Sequence, residues 1–264
     1  MAESGLSLNR EDLREAIGFY LGYGADYSAY STDQLAVADK CVDAGLRMFY
    51  SPPPIQGERG VHTWSFLTPV NPLSLVEDVV DYDLWDDFGG LVGKLYLSAD
   101  DDAWSEIENT NIARILALRS RDGGSANGRP RAVAVNVIPS TGESPTRYSL
   151  AIWPKPSQSY TLQVQYNSNP YHLSSTAVYP LGGQPHAETL REACLAAAEI
   201  NVNDERGLHY TMFMERLVAS VHYDRKAMGP KSLGYNGDKT SMPRMSGTSF
   251  TNNVTYNGTL YDGT

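Results

Sequence analysis

Apolar residues recur at helical spacing up to residue 54, in short strand-like runs from about 61 to 179 that alternate most clearly at 160–166, and at helical spacing again from Pro185. This double switch of period constrains the fold more than any other feature. A segment patterned for one kind of element cannot bury its apolar side as the other. At the N-terminal end Leu13, Ala16, Ile17, Tyr20 and Leu21 form one stripe, behind Glu11 and Asp12, which favour a helix start. Gly22 and Gly24 close that helix. Ser31 and Gln34 have capping-box spacing, ahead of the stripe Leu35, Ala38, Val42, Gly45, Leu46 and Phe49. Pro52, Pro53 and Pro54 stop the second helix.

The middle reads as strands. Residues 61–67, 91–97, 132–138, 148–153 and 160–166 are rich in β-branched and aromatic side chains. Tyr160, Leu162, Val164 and Tyr166 alternate with Thr161, Gln163 and Gln165, giving one dry and one wet face. The connections are mostly too short or too polar for crossover helices, which predicts antiparallel pairing. A short helix is expected near 111–119. From Pro185 and Glu188, which suit a first helical turn, Leu190, Cys194, Ala197 and Ala198 make a narrow face of small residues. Such a face lets another helix, or another subunit, approach closely. After a break at 201–207, Tyr210, Phe213, Met214, Leu217, Val218 and Val221 make a bulkier stripe that ends at Gly229 and Pro230.

The predicted architecture is α+β. A four-helix bundle is built from both chain ends (1–54 and 185–229), an antiparallel β-domain is inserted at 55–184, and an extended arm follows at 230–264. Within the arm, Tyr256-Asn257-Gly258 repeats Tyr235-Asn236-Gly237, and Asn-Gly is the preferred pair for a tight hairpin. Phe250, Val254, Tyr256, Leu260 and Tyr261 are its apolar residues. Two short strands without a sheet are marginal in water. The arm is therefore expected to be ordered by a neighbouring subunit or a partner protein rather than by itself.

No apolar run approaches the roughly 18–20 residues that span a bilayer, and the N-terminus lacks the basic-then-apolar pattern of a signal peptide. Cys41 and Cys194 are too few for a disulfide framework and read as small core residues. The net charge of −10 argues against general nucleic-acid affinity. Between residues 77 and 108 eleven acids stand against one base, Lys94, which makes the local balance −10 as well. Asp81, Asp83, Asp86, Asp87, Asp100, Asp101 and Asp102 carry most of it.

Motifs for chemistry are few and fail on inspection. Residues 123–130, GGSANGRP, approach the spacing of a phosphate loop, but Arg129 and Pro130 replace the lysine and hydroxyl that such a loop needs. A calcium loop from Asp100 would require glycine and glutamate where Ser105 and Asn111 stand. His62, His172, His186, His209 and His222 form no zinc-binding spacing. There is no G-x-S-x-G. The asparagines at 253 and 257 match the glycosylation sequon, a match that polar tails produce by chance. No catalytic, metal or cofactor residue is predicted.

Three stretches are distinctive: ADKCVDAGLRMFYSPPP (38–54) with HTWSFL (62–67); YDLWDDFGGLVGKLY (82–96) with the acidic turn 98–104; and YPLGGQPHAETLREACLAAAE (179–199) with LGYNGD (233–238). Together they resemble the head-to-tail connectors of tailed bacteriophages, in particular portal adaptors of the tail tubular protein A group. The resemblance implies a structural virion protein at the head–tail junction, assembled in the host cytoplasm. It implies a homo-oligomeric ring, usually of twelve subunits, with a portal protein above, a tail or nozzle protein below, and double-stranded DNA passing through. In such a ring the acidic residues would line the lumen or meet the next ring. Two other classes are open to the residues alone. A carbohydrate-binding module would stack sugars on Trp64, Trp85 or Trp104, and a hydrolase would pair two carboxylates of the acidic run about 5–10 Å apart in a cleft.

Overall fold

The computed structural model of the protein describes residues 4–55, 60–98, 104–139, 142 and 146–228, together with two short strands at 254–256 and 259–261. Residues Met1–Met228 make one compact unit and Gly229–Thr264 a second.

Helix α1 (Arg10–Tyr20) starts at a capping box: Asn9 accepts from the Glu11 and Asp12 amides, and the Asp12 carboxylate accepts from the Asn9 amide. Helix α2 (Thr32–Tyr50) starts at the box expected from Ser31 and Gln34 and ends at Ser51, before the prolines. Strands β1 (Val70–Leu75), β2 (Asp81–Asp83), β3 (Phe88–Leu91), β4 (Leu95–Ser98) and β5 (Ser105–Asn109) follow. Then come α3 (Ile112–Arg121), the two-residue β6 (Asn127–Gly128), β7 (Ala132–Ile138), β8 (Arg147–Trp153), the two-residue β9 (Lys155–Pro156) and β10 (Tyr160–Ser168). Helices α4 (Ala187–Asn203) and α5 (Leu208–Met228) complete the unit. The second unit contributes the antiparallel pair β11 (Val254–Tyr256) and β12 (Thr259–Tyr261).

Eight strands form one sheet in the order β1-β10-β4-β5-β7-β8-β2, with β3 also on β10. Strands β3 and β4 both run antiparallel to β10, separated by residues 92–94, where Gly93 takes a positive φ of 70°. The two outer strands, β1 and β2, are consecutive in the chain. The five residues 76–80 therefore span the gap between the sheet's ends, and the sheet curls until it is nearly closed. The Tyr82 hydroxyl ties this bridge by bonding the amide and carbonyl of Val76, and the Asp78 amide donates to the Pro156 carbonyl. Leu75, Leu97, Val133, Leu150, Leu162 and Val164 are among the side chains that fill the inside.

Helices α1, α2, α4 and α5 share a second core, and α4 is its centre. The pairs that pack are α1 with α2, α1 with α4, α2 with α4, and α4 with α5. Eleven of its seventeen residues are buried, so α4 is dry nearly all round rather than along one stripe. Trp64, Leu67 and Leu173, from outside the helices, complete this core.

The architecture expected from the sequence is corrected on these points. The chain is a mixed α/β protein built on a large, nearly closed eight-stranded sheet with five helices among the described residues, not a four-helix bundle carrying an antiparallel insert. Helical periodicity identified dry stripes but not what covers them. It missed that α4 is enclosed by its neighbours and by loop residues. The antiparallel expectation fails at β5 and β7, which pair in parallel (Glu108↔Ala132, Asn109↔Val133). Helix α3 is the crossover between them, seated through Ile115 on Ala132, Ala134 and Ala151.

Candidate functional site

Residues of hydrolase type do meet in this fold. Asp224, on the inner face of α5, is 4 % exposed. Its carboxylate accepts from the Ser65 amide at 3.1 Å, from the Ser65 hydroxyl, and faces His62 Nε2 at 2.9 Å. A nucleophilic serine needs the histidine between itself and the acid. Here the acid is in the middle and both partners point at it. The arrangement fixes the turn at 65–67 to α5, and the serine–histidine–acid order of a triad is not formed.

Beside it lies an aromatic cage. His186 sits 5.1 Å from the Trp64 ring, 5.4 Å from Phe66, 5.9 Å from Phe49 and 5.8 Å from Tyr223. It is 3 % exposed and its Nδ1 is without a hydrogen-bond partner. Burial lowers its pKa below the ordinary histidine value; Asp224 opposes that shift and His62 adds to it. The ring is therefore a neutral, packed side chain at pH 7. The spacing of the histidines in the sequence gives no sign of this burial. Only the aromatic density of HTWSFL, around Trp64, hinted at this enclosure.

The small residues of α4 are used inside the chain. Leu190, Cys194, Ala197 and Ala198 are all buried. Gly45 of α2 lies so close that a Cβ there would come within 2.5 Å of the Cys194 Cα. Polar ties join α4 to α5, among them the Thr189 and Ser220 hydroxyls at 2.7 Å, Glu192 and His209 at 2.9 Å, and Glu199 accepting from the Gly207 and Tyr210 amides at the start of α5. Burial pushes the Cys41 and Cys194 thiols up, so neither is a ready thiolate.

The acidic run does not make a uniformly negative surface among the described residues. Asp81 pairs with Arg119 at 3.0 Å, Asp78 with Lys155 at 2.8 Å, Asp86 with Arg147 at 3.6 Å, Glu108 with Arg114 at 3.3 Å and Glu106 with Lys94 at 2.7 Å. Asp87 accepts from the Tyr166 and Ser168 hydroxyls. Asp83 is exposed. Asp100, Asp101 and Asp102 lie outside the described residues. Four of the five cations come from beyond the window in which the charge was counted, which is why the sequence overstated the patch.

The stacking platform a sugar-binding module needs is not formed by the described tryptophans. Trp64 is buried, Trp104 is 59 % exposed, and the half-buried Trp85 stacks on Tyr166, itself 1 % exposed. A cleft of about 330 Å³ lies beside the end of α2, lined by Asp43, Arg47, Tyr50, Ser51, Tyr171 and His172. Its Tyr50 hydroxyl already bonds the backbone of Leu181. Among the described residues no cluster of His, Cys, Asp and Glu is arranged to hold a metal ion, and no helix is long and apolar enough to cross a membrane.

Of the arm residues, Val254 pairs with Tyr261 and Thr255 with Leu260 across the hairpin, and Tyr256 with Thr259 next to the Asn-Gly pair. Phe250 lies outside the described residues. No protein-family model matches the chain, and no curated protein matches it.

Proposed function

We propose that the protein is a structural subunit of a tailed-phage head-to-tail connector: an adaptor that assembles as a ring between portal and tail and lets double-stranded DNA pass. The observation that carries this reading is the C-terminal unit, residues 229–264, whose described structure is one two-stranded hairpin. A hairpin of three-residue strands cannot bury a core and needs an outside surface for stability. The three stretches that resemble connector proteins support the same reading. So does the chemistry of the body, where Ser65, His62 and Asp224 are tied together and five acids of the run, Asp78, Asp81, Asp86, Glu106 and Glu108, are paired with arginines and lysines.

Electron microscopy of the chain mixed with purified portal rings of the same virus tests it. The reading expects an added layer of density on one end of the portal, with rotational symmetry. Portal particles that look the same with and without the chain contradict it.

A further inference from the structure

Two side chains from beyond residue 180 fasten the segment 62–67 to the helical layer. One is Asp224 of α5, whose single carboxylate accepts from the Ser65 amide and hydroxyl and faces His62 Nε2. The other is His186, at the entry to α4. Its ring packs on Trp64 and Phe66 of the segment, on Phe49 of α2 and on Tyr223 of α5. Four parts of the chain therefore meet on one imidazole. Trp64 touches both histidines, with the His62 ring edge-on at 4.8 Å.

The cage suits a neutral ring and not a charged one. Nδ1 of His186 is buried without a partner. A protonated imidazole donates from both nitrogens, so one N–H would meet no acceptor, and the charge would sit in a dry site. The titratable groups that face the ring are Asp224 and Tyr223 of α5 and His62 of the segment. Asp224 favours the proton, but its carboxylate is already engaged by Ser65 and His62. From α2 comes Phe49, whose neighbour Tyr50 is bonded to the Leu181 backbone. Glu188, in the first turn of α4, is exposed beside Arg216.

We propose that His186 is an acid-sensitive latch: once protonated, its ring leaves the cage, and the segment 62–67 comes off α5 while α2 and α4 stay packed. The closed joint holds the ring neutral, and the open joint binds its proton near the ordinary value of about 6.5. The closed form is therefore favoured above that pH and loses ground as pH falls below it. The opening is local. The contact of Gly45 with the Cys194 backbone joins α2 to α4 without His186, so the joint opens at less cost than the whole body. The inference is independent of the ring reading.

Hydrogen exchange read by mass spectrometry tests it on the full chain between about pH 7.5 and pH 5, corrected for the intrinsic pH dependence of exchange. The amides of Ser65, Leu67 and Thr68, bonded to Asp224, Trp64 and Ser65, should lose protection below about pH 6.5. The loss should be up to about tenfold per pH unit. Residues 190–198, in the middle of α4, should keep their protection. His186→Phe keeps a ring but cannot take the proton, and should remove the pH response. His62→Gln leaves the cage in place and should retain it. Histidine-ring NMR of the unsubstituted chain is a second measurement: the His186 signal should titrate over the same pH range in which the segment opens. A response that survives in His186→Phe overturns the inference, and so does one that His62→Gln abolishes. Protection that is unchanged down to pH 5, or a His186 ring that titrates while the segment stays closed, overturns it as well. Loss of protection that extends to 190–198 over the same range overturns it too, since the body is then unfolding as a whole.

Discussion

Gly45 shows how much a single position decides here. It allows α2 to approach α4 until the backbone of Cys194 is in contact, and a Cβ would stand 2.5 Å from the Cys194 Cα and 2.6 Å from its nitrogen. Gly45→Ala gains about 1 kcal/mol in helix propensity but forces a close-packed core apart, which costs about 1–3 kcal/mol. Urea denaturation should find the alanine variant less stable than the parent, and Gly45→Val much less so; an equal or higher midpoint would mean that the two helices separate freely. His186 makes a second residue-scale prediction. Burial keeps its folded pKa below the ordinary value of 6.5, so the unfolded chain binds the proton first as pH falls. The stability from the neutral ring is present above about pH 6.5 and is lost as pH drops below it. His186→Phe should reduce the difference in unfolding free energy between about pH 7.5 and pH 5.5; an unchanged difference would assign it to other groups. The sequence marked Gly45 and Cys194 as members of apolar stripes but not as contacts of each other, because contact depends on the register between two helices 130 or more residues apart.

At the scale of elements, both borders of the sheet are guarded. The Tyr166 amide donates to the Pro69 carbonyl, which fixes the phase of the ladder between β1 and β10. Residues 71, 73 and 75 then turn their backbone groups toward β10, and Val70, Pro72 and Ser74 turn theirs outward. Pro72, which has no N–H, falls at the middle outward position, where it breaks any added ladder. On the other border β2 reads Asp81-Tyr82-Asp83, and its charges discourage pairing. Pro72→Thr should leave the fold intact and raise concentration-dependent light scattering; unchanged scattering would show that Pro72 does not protect this edge. The alternation from Tyr160 to Tyr166 was legible in the sequence, and it is β10, which pairs with β1, β3 and β4. The capping box of α2 and the helix near 111–119 were legible for the same reason, since each is set by residues within a few positions. The parallel pairing of β5 with β7 was not. It depends on α3 folding back across the sheet, and a ten-residue helix between polar loops carries little period with which to announce a crossover.

The whole molecule joins a body with two cores to a C-terminal unit, and the unit boundary falls at 228/229. The predicted boundary between the last helix and the arm, at 229/230, was read from Gly229 and Pro230, which end helices by simple backbone chemistry. How the helices around α4 and the eight-stranded sheet share the body was beyond the sequence, because only tertiary packing encloses α4 and closes the sheet. If the body folds by itself, a chain shortened to residues 1–228 should melt within a degree or two of the full chain. If the hairpin supplies the outside attachment, the same shortened chain should bind a portal ring far more weakly. A large loss of melting temperature would show instead that the C-terminal unit supports the body. The claim that this is a subunit of a portal-bound ring meets its most direct test in the mass of the complex. Mass photometry of purified portal rings with the full chain in excess should show one discrete added mass equal to many copies of the 29.0 kDa chain. A portal peak that does not move at any concentration of the chain would contradict the account.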